Sequence, residues 1–260
     1  MKNNLIGISG DLGDTVGNIL QYLTAYGKYP SLESFMARSP ITGGTPYQIK
    51  KFDNKRKDIV CLLLGCTREQ LEDREFKEKE LGEEWWYQEY INKLSGHYEM
   101  VTYKQEPPSY VYNDDSKGAL IKLTPNKLLQ LIGTECGRQI LHPNIWVNAL
   151  FSDYKVTFKE ELYFPAGLGS PQKIDKAIIP NWIITDVKRP DQAQAIKDRG
   201  GVVIRVDRGY ALENEFDERT RMDNEHPSET ALDDYEFDAV IDNNGSIEEL
   251  VEKVKQLNIL

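Results

Sequence analysis

A three-layer α/β/α fold around a mainly parallel sheet is predicted by three features of this sequence. Short apolar runs recur at Leu5–Ser9, Trp182–Thr185, Val202–Val206 and Ala239–Ile241, each about the length of a buried strand. Stretches with helical spacing of apolar residues separate them, the alternation from which βαβ units are built. The first run ends in Ser9-Gly10 and a helix-patterned stretch follows at once, as a first strand–turn–helix unit opens.

The elements follow in order. Val16, Ile19, Leu20 and Leu23 share one face of the first helix. Residues 27–48 are rich in Gly, Pro, Ser and Thr and read as a long loop with one short helix around Leu32–Met36. Lys51–Leu64 has a helical pattern. Thr67–Leu94 is strongly charged, holds Trp85 and Trp86, and reads as exposed helices. Residues 98–123, with Pro107, Pro108 and several tyrosines, read as an irregular or hairpin insertion. Thr124 then caps a helix with Pro125 in its first position and Leu128, Leu129, Leu131 and Ile132 on its apolar face. A further helix starts near Pro143 and carries Trp146, Val147 and Leu150. Asn181–Asp186 is a buried strand ending in a carboxylate. Pro190 opens a helix that Gly200-Gly201 stops. After the strand at Val202–Val206 comes a polar loop, Asp207–Glu229, and a last strand at Phe237–Ile241. Ser246 and Glu249 have capping-box spacing, and Ile247, Leu250, Val251, Val254 and Leu257 form the face of the final helix.

Composition narrows the function. The 260 residues carry a net charge of −10 with a pI near 5.0, and no basic stripe of the kind a nucleic-acid binder shows. The longest apolar run, Ile59–Leu64, is far too short to span a bilayer, and no signal peptide is evident. Cys61, Cys66 and Cys136 are odd in number and fit no metal spacing, so they read as reduced thiols. The expectation is a soluble cytoplasmic protein acting on a small molecule, without nucleic-acid or membrane partners.

In open parallel sheets, ligands bind beyond the carboxyl ends of the strands. Three segments qualify. The first is Gly7-Ile8-Ser9-Gly10-Asp11-Leu12-Gly13-Asp14-Thr15, a glycine turn in which no register satisfies the phosphate-cradling template G-x-x-x-x-G-K-[ST]; no lysine lies between Lys2 and Lys28. By spacing alone it is either a degenerate phosphate loop or a tight turn without a ligand. The second is Thr185-Asp186-Val187-Lys188-Arg189. Asp186 suits Mg²⁺ held through water or a substrate hydroxyl, Lys188 and Arg189 suit a phosphate, and a plain surface Asp–Lys pair is the alternative. The third is the polar loop with Arg205, Arg208, Arg219 and Arg221 among many acids, which reads as a lid or as a solvated, charge-mixed loop.

Several segments together resemble the phage-type deoxynucleoside monophosphate kinases. Leu128–Arg138 is similar to that family's L-x-x-x-G-T-[ED] helix end, and Pro143–Val147 to its tryptophan segment. Ile183–Lys188 is similar to its strand ending in D-x-R, His226–Leu232 to its H-x-S-E-x-x-L segment, and Asp242–Leu250 to its closing N-x-G-[ST] turn and helix. The likeness covers residues 1–26 and about 124–260. It implies a P-loop nucleoside monophosphate kinase-like fold in one domain over residues 1–260. A variable substrate-side insertion would then occupy 27–123 and a candidate lid 207–229. It also implies phosphoryl transfer from ATP, with Mg²⁺, to a deoxynucleoside 5′-monophosphate. Its partners would be small-molecule nucleotides, and a homodimer is compatible with it. By resemblance, Gly10, Gly13, Asp14 and Thr15 form the ATP phosphate loop. Gly133, Thr134, Arg138 and Trp146 line the monophosphate site. Asp186, Lys188 and Arg138 serve catalysis, with Asp186 facing the metal.

The sequence departs from the family's S-G-x-x-x-x-G-K-D-T loop. Gly10 to Thr15 is five steps instead of eight, the lysine is missing, and Lys188 stands where D-x-R has arginine. Asp11 and Asp14 bring negative charge that no loop lysine offsets. The expectation is therefore a chain that folds with impaired activity, the alternative being a non-catalytic nucleotide-binding protein that keeps the monophosphate pocket.

Overall fold

A computed structural model describes residues 4–10, 12–26, 47–112, 120–163, 172–207 and 231–257. The short helix expected at Leu32–Met36 and the candidate lid beyond Asp207 lie outside the described residues. The chain divides into two compact units, Met1–Asp53 with Trp146–Leu260, and Asn54–Ile145.

The first unit is built on a five-stranded sheet. Its strands are β1 (Leu5–Ser9), β2 (Gln48–Lys50), β9 (Trp182–Ile184), β10 (Val202–Asp207) and β11 (Ala239–Asp242), in spatial order β11-β10-β1-β9-β2. Every pairing is parallel; Ile6 lies opposite Val202 on one side and Ile183 on the other. The four strands read from the sequence are neighbours in this one sheet, as their apolar runs predict. Alternation along each strand sends side chains to opposite faces. Leu5, Trp182, Ile184 and Val203 pack with Val147, Leu150 and Phe151 of α6 (Ile145–Phe151) and with Ala193 and Ile196 of α7 (Pro190–Lys197). Ile6, Ile8, Ile183, Ile204 and Val206 pack on the other face, against Val16, Ile19 and Leu20 of α1 (Gly13–Tyr26) and Leu250 and Val254 of α8 (Ile247–Gln256). These are the three layers. Each fully buried aliphatic side chain contributes about 1.5–3 kcal/mol from lost water contact.

Local signals hold where chemistry fixes them. Ser246 Oγ accepts the Glu249 N–H at 3.3 Å at the start of α8, and Gly200, with φ of 73°, follows the end of α7. β2 escaped the sequence because Gln48-Ile49-Lys50 is too short to show alternation; it exists through pairing with β9, anchored by Gln48 N–H to the Asn181 carbonyl at 2.8 Å. The antiparallel ribbon of β7 (Thr157–Tyr163) and β8 (Gln172–Ile178) also had no counterpart among the expected elements.

The second unit holds most of α2 (Asp53–Leu64), with α3 (Arg68–Glu72) and α4 (Arg74–Glu78) after it. An antiparallel sheet follows: β3 (Trp86–Asn92) pairs with β4 (Tyr98–Thr102), β5 (Val111–Tyr112) and β6 (Leu120–Lys122). Exposed helices were expected through Leu94, and they end at Glu78 apart from one 3₁₀ turn at Glu83–Trp85. Trp86–Asn92 is a strand because three partners satisfy its backbone and its aromatic residues suit a pleated surface, which outweighs the charge of its surroundings. The stretch 98–123, expected to be an irregular or hairpin insertion, holds β4, β5 and β6, each of which pairs with β3. Thr124 accepts from Lys127 N–H at 3.1 Å and opens α5 (Pro125–Gln130) as expected. The same helix then widens into a π-helix over Leu131–Leu141. Val60, Leu71, Leu128 and Leu129 form this unit's helical core.

No helix among the described residues is long and apolar enough to cross a membrane.

Replacing Ile204 by Ala, at the sheet's fully buried centre, should lower unfolding free energy in urea by about 2–5 kcal/mol. The neighbouring Val240→Ala, 61% exposed, should change it by no more than about 0.5 kcal/mol.

Candidate active site

β1 is the central strand, flanked by β9 and β10, so its carboxyl end opens where an α/β sheet receives ligands. The turn there is tight. Gly13 N–H donates to the Gly10 carbonyl at 3.3 Å, and α1 starts at Gly13 itself. Gly10 has φ of 110°, and a Cβ on it would lie 2.0 Å from the Val206 carbonyl oxygen of β10. A Cβ on Gly13 would lie 2.1 Å from the Thr185 carbonyl oxygen beyond β9. The turn is thus wedged between both neighbouring strands, and each glycine is required by backbone, which cannot swing aside. Asp11 lies outside the described residues.

Asp14, in the first turn of α1, has both oxygens engaged. Oδ1 accepts from the buried Thr185 hydroxyl at 2.5 Å, and Oδ2 meets Lys51 Nζ at 2.5 Å. Lys51 follows the end of β2, and nothing in its sequence surroundings places it here, because a three-residue edge strand had to be known first. The charge of Asp14 was expected to stand without an offsetting lysine; Lys51 supplies that offset from outside the turn. Thr15 is half-buried on the same helical turn.

Asp186 lies one residue beyond Thr185. Its Oδ1 accepts the Phe52 N–H at 2.8 Å and its Oδ2 the Asp53 N–H at 3.1 Å, the groups that lead into α2. Burial pushes its carboxyl up from the ordinary 3.8 to about 6, and the Asp53 charge pushes the same way; the two N–H groups and Lys51 oppose them. The residue as a whole is partly buried. Lys188 is exposed, with its backbone N–H on Gln192 Oε1 at 2.8 Å. Arg189 Nε is held by Asp191 at 2.8 Å. Of the polar-loop arginines, Arg205 reaches Asp233 at 3.6 Å and lies over the Phe237 ring, while Arg208, Arg219 and Arg221 lie outside the described residues. Asp14, Thr185, Asp186 and Lys51 therefore gather at the carboxyl end of the sheet.

The residues assigned to the monophosphate are distributed over both units. Trp146 stands half-buried on α6 of the first unit. Gly133, Thr134 and Arg138 lie on the π-helix of the second. There, Arg138 Nε donates to the Gly133 carbonyl at 3.2 Å, and a Cβ on Gly133 would lie 2.5 Å from Arg56 Nη1. Arg56 is a second cation at this glycine that motif spacing did not single out. Glu135 Oε2 is buried without a hydrogen-bond partner among the described residues. No group of three or more His, Cys, Asp or Glu residues suited to a metal ion occurs among the described residues.

No protein-family model matches the chain. A deoxynucleoside-5′-monophosphate kinase of Escherichia phage T5 is 24% identical over 193 residues, covering 67% of this chain and 68% of that protein. A protein of Acanthamoeba polyphaga mimivirus that carries the provisional name deoxynucleotide monophosphate kinase is 29% identical over 136 residues, covering 50% of this chain and 59% of that protein.

Two outcomes test this geometry. Gly13→Ala should destabilise the fold by about 1–3 kcal/mol, because the added methyl meets backbone; thermal unfolding measures it. Asp186 gives a pH signature. Its folded pKa is about 6 against an ordinary 3.8, so the folded state binds more protons between those values and stability must fall as pH rises through that window. Relative to Asp186→Asn, the wild type should lose stability between pH 4 and 7, by up to about 3 kcal/mol. Parallel urea curves for the two proteins across that range would refute the buried-carboxyl assignment.

Proposed function

We propose that this chain is a deoxynucleoside monophosphate kinase-like protein that passes the terminal phosphoryl group of ATP to a deoxynucleoside 5′-monophosphate, with activity limited by its short first turn. The observation that carries this reading is the Gly10–Thr15 turn opening from the central strand of a parallel sheet. The names of the phage and mimivirus relatives support it, as does the order of the resembling segments along the chain.

Little covalent chemistry is asked of such a protein. It holds two nucleotides in line and neutralises charge on the phosphoryl oxygens. Arg138 grips the acceptor's phosphate, Gly133 and Thr134 line it, and Trp146 contacts the nucleoside. Gly10, Gly13, Asp14 and Thr15 face the ATP phosphates, and Lys188 adds positive charge beyond β9. Mg²⁺ would supply charge neutralisation on the phosphates, and such an ion would need only one or two protein carboxylates beside the nucleotide. Asp186 fits that role in its ionised form, since each oxygen retains acceptor capacity after taking one N–H. The partners are small-molecule nucleotides, in a cytoplasmic protein that binds neither nucleic acid nor membrane; a homodimer is compatible with this chemistry.

The turn limits the reaction. A phosphate loop works by wrapping N–H groups around the phosphates and adding a lysine. Here Gly13 N–H is already bonded to Gly10, and the nearby ammonium, Lys51, is bonded to Asp14. Losing one strong transition-state donor typically raises the barrier by about 3 kcal/mol. The wedged turn also favours a second reading, a nucleotide-binding protein that retains the monophosphate pocket without catalysis.

A coupled ADP-release assay across the deoxynucleoside monophosphates, run beside a version with the S-G-x-x-x-x-G-K-D-T loop rebuilt, tests the proposal. Turnover of the unaltered chain should lie well below the roughly 1–100 per second of kinases, and the rebuilt loop should raise it. A kinase-like rate without rebuilding would contradict the limiting role of the turn, and no gain on rebuilding would favour the non-catalytic reading. Arg138→Ala should weaken monophosphate binding by about 2 kcal/mol, through loss of a charge-assisted contact; an unchanged dissociation constant rules that role out.

A further inference from the structure

We propose that the β7–β8 ribbon is the surface on which two copies of this chain associate, β7 of each copy pairing antiparallel with β7 of the other about Glu160. The proposal is independent of the kinase-like reading and of every residue assigned to it.

Thr157–Tyr163 and Gln172–Ile178 pair along their full lengths, and among the described residues no third strand joins them. A two-stranded hairpin is marginal in water and needs a further strand or a helix against it. Alternation puts Phe158, Glu160 and Leu162 on one face and Lys159, Ile174 and Lys176 on the other, and these residues are exposed. Phe158 is 70% exposed and Leu162 58%, so both large apolar side chains of their face are left in water.

The register also sets like charges side by side. Lys159 lies directly opposite Lys176, and Glu160 opposite Asp175, an arrangement that works against a sheet. Two diagonal ion pairs offset part of it: Lys173 reaches Glu160 at 3.0 Å and Lys176 reaches Glu161 at 3.1 Å. Lys159 has no such partner among the described residues.

The outer edge of β7 is complementary to itself. A two-fold antiparallel pairing about Glu160 brings Lys159 opposite Glu161 of the second copy and Phe158 opposite Leu162 of the second copy, each twice by symmetry. Opposite charges and an aromatic–aliphatic pair across neighbouring strands are favourable combinations. Glu160 meets its own copy on the axis, where each carboxylate already holds Lys173. Other registers lose this match. Sliding by one or two residues one way sets Phe158 against Glu161 or Glu160 of the copy, and sliding by one the other way sets Glu160 against Glu161. On β8, the register that faces Ile174 with Ile178 sets Lys176 against Lys176 and gains no ion pair. An open sheet edge accepts many strands; the self-complementary charge pattern of β7 selects a second copy.

Sedimentation velocity of the full chain between about 1 and 100 µM, where an interface of modest area associates, tests the proposal. The wild type should show a concentration-dependent dimer. Lys159→Glu and Glu161→Lys each turn two opposite-charge pairs into two like-charge pairs and should raise the dissociation constant at least about tenfold. An equimolar mixture of the two variants restores an opposite-charge pair at both places and should dimerise like the wild type, a recovery that loss of folding cannot produce. Phe158→Ser keeps both charge pairs and should also weaken the dimer; thermal unfolding of each variant verifies the fold. A wild type that stays monomeric to the highest concentration overturns the proposal. So does a dimer that none of the variants weakens, which lies on another surface. A mixture no better than its components overturns it as well, because Lys159 and Glu161 then do not meet across the axis.

Discussion

The close approach of Gly10 to the Val206 carbonyl and of Gly13 to the Thr185 carbonyl governs the carboxyl end of the first unit's sheet. β1 lies between β9 and β10, so the chain leaving it has to pass between two strand ends. Only residues without a Cβ fit at 2.0 and 2.1 Å from those oxygens. The turn is therefore short, α1 begins at once, and its first residues are set down on Thr185. Asp14 is bonded to the Thr185 hydroxyl for that reason, and Lys51 comes to Asp14 from the end of β2. A longer, phosphate-wrapping loop would have to leave this wedge.

On the proposed kinase-like reading, a triphosphate at this turn would meet two opposing effects. A helix N-terminus favours an anion by about 0.3–1 kcal/mol, and α1 retains that. A missing preorganised donor or lysine in the transition state works against it by about 3 kcal/mol, so the loss outweighs the gain. Lys51 does not reverse the balance while it is paired with Asp14, since the pair brings no net charge.

The sheet was legible because burial on both faces forces short, largely apolar runs at residues 5–8, 182–184 and 202–206. Caps at Thr124 and Ser246 were legible because their chemistry is local. β2 and β3 were not, since what makes them strands is pairing with β9 and with β4, β5 and β6. The same distinction runs through the site. Among the candidate residues, Asp186 was singled out by its place after a strand and Asp14 by its place in the glycine turn. Lys51, which meets Asp14, and Arg56, which lies beside Gly133, were not singled out because nothing near them in sequence announces a contact 37 or 77 residues away. The glycine at 133 was the available signal for Arg56, and its meaning is readable only once the helix around it is known.

Calorimetric titration of the unaltered chain with ATP and Mg²⁺, and separately with a deoxynucleoside 5′-monophosphate, tests the wedge most directly. Loss of a hydrogen bond to a charged phosphate, about 1.5–3 kcal/mol, corresponds to roughly ten- to a hundredfold in affinity. The account predicts saturable binding of the monophosphate and ATP binding weaker by about that factor. ATP bound as tightly as the monophosphate would contradict it.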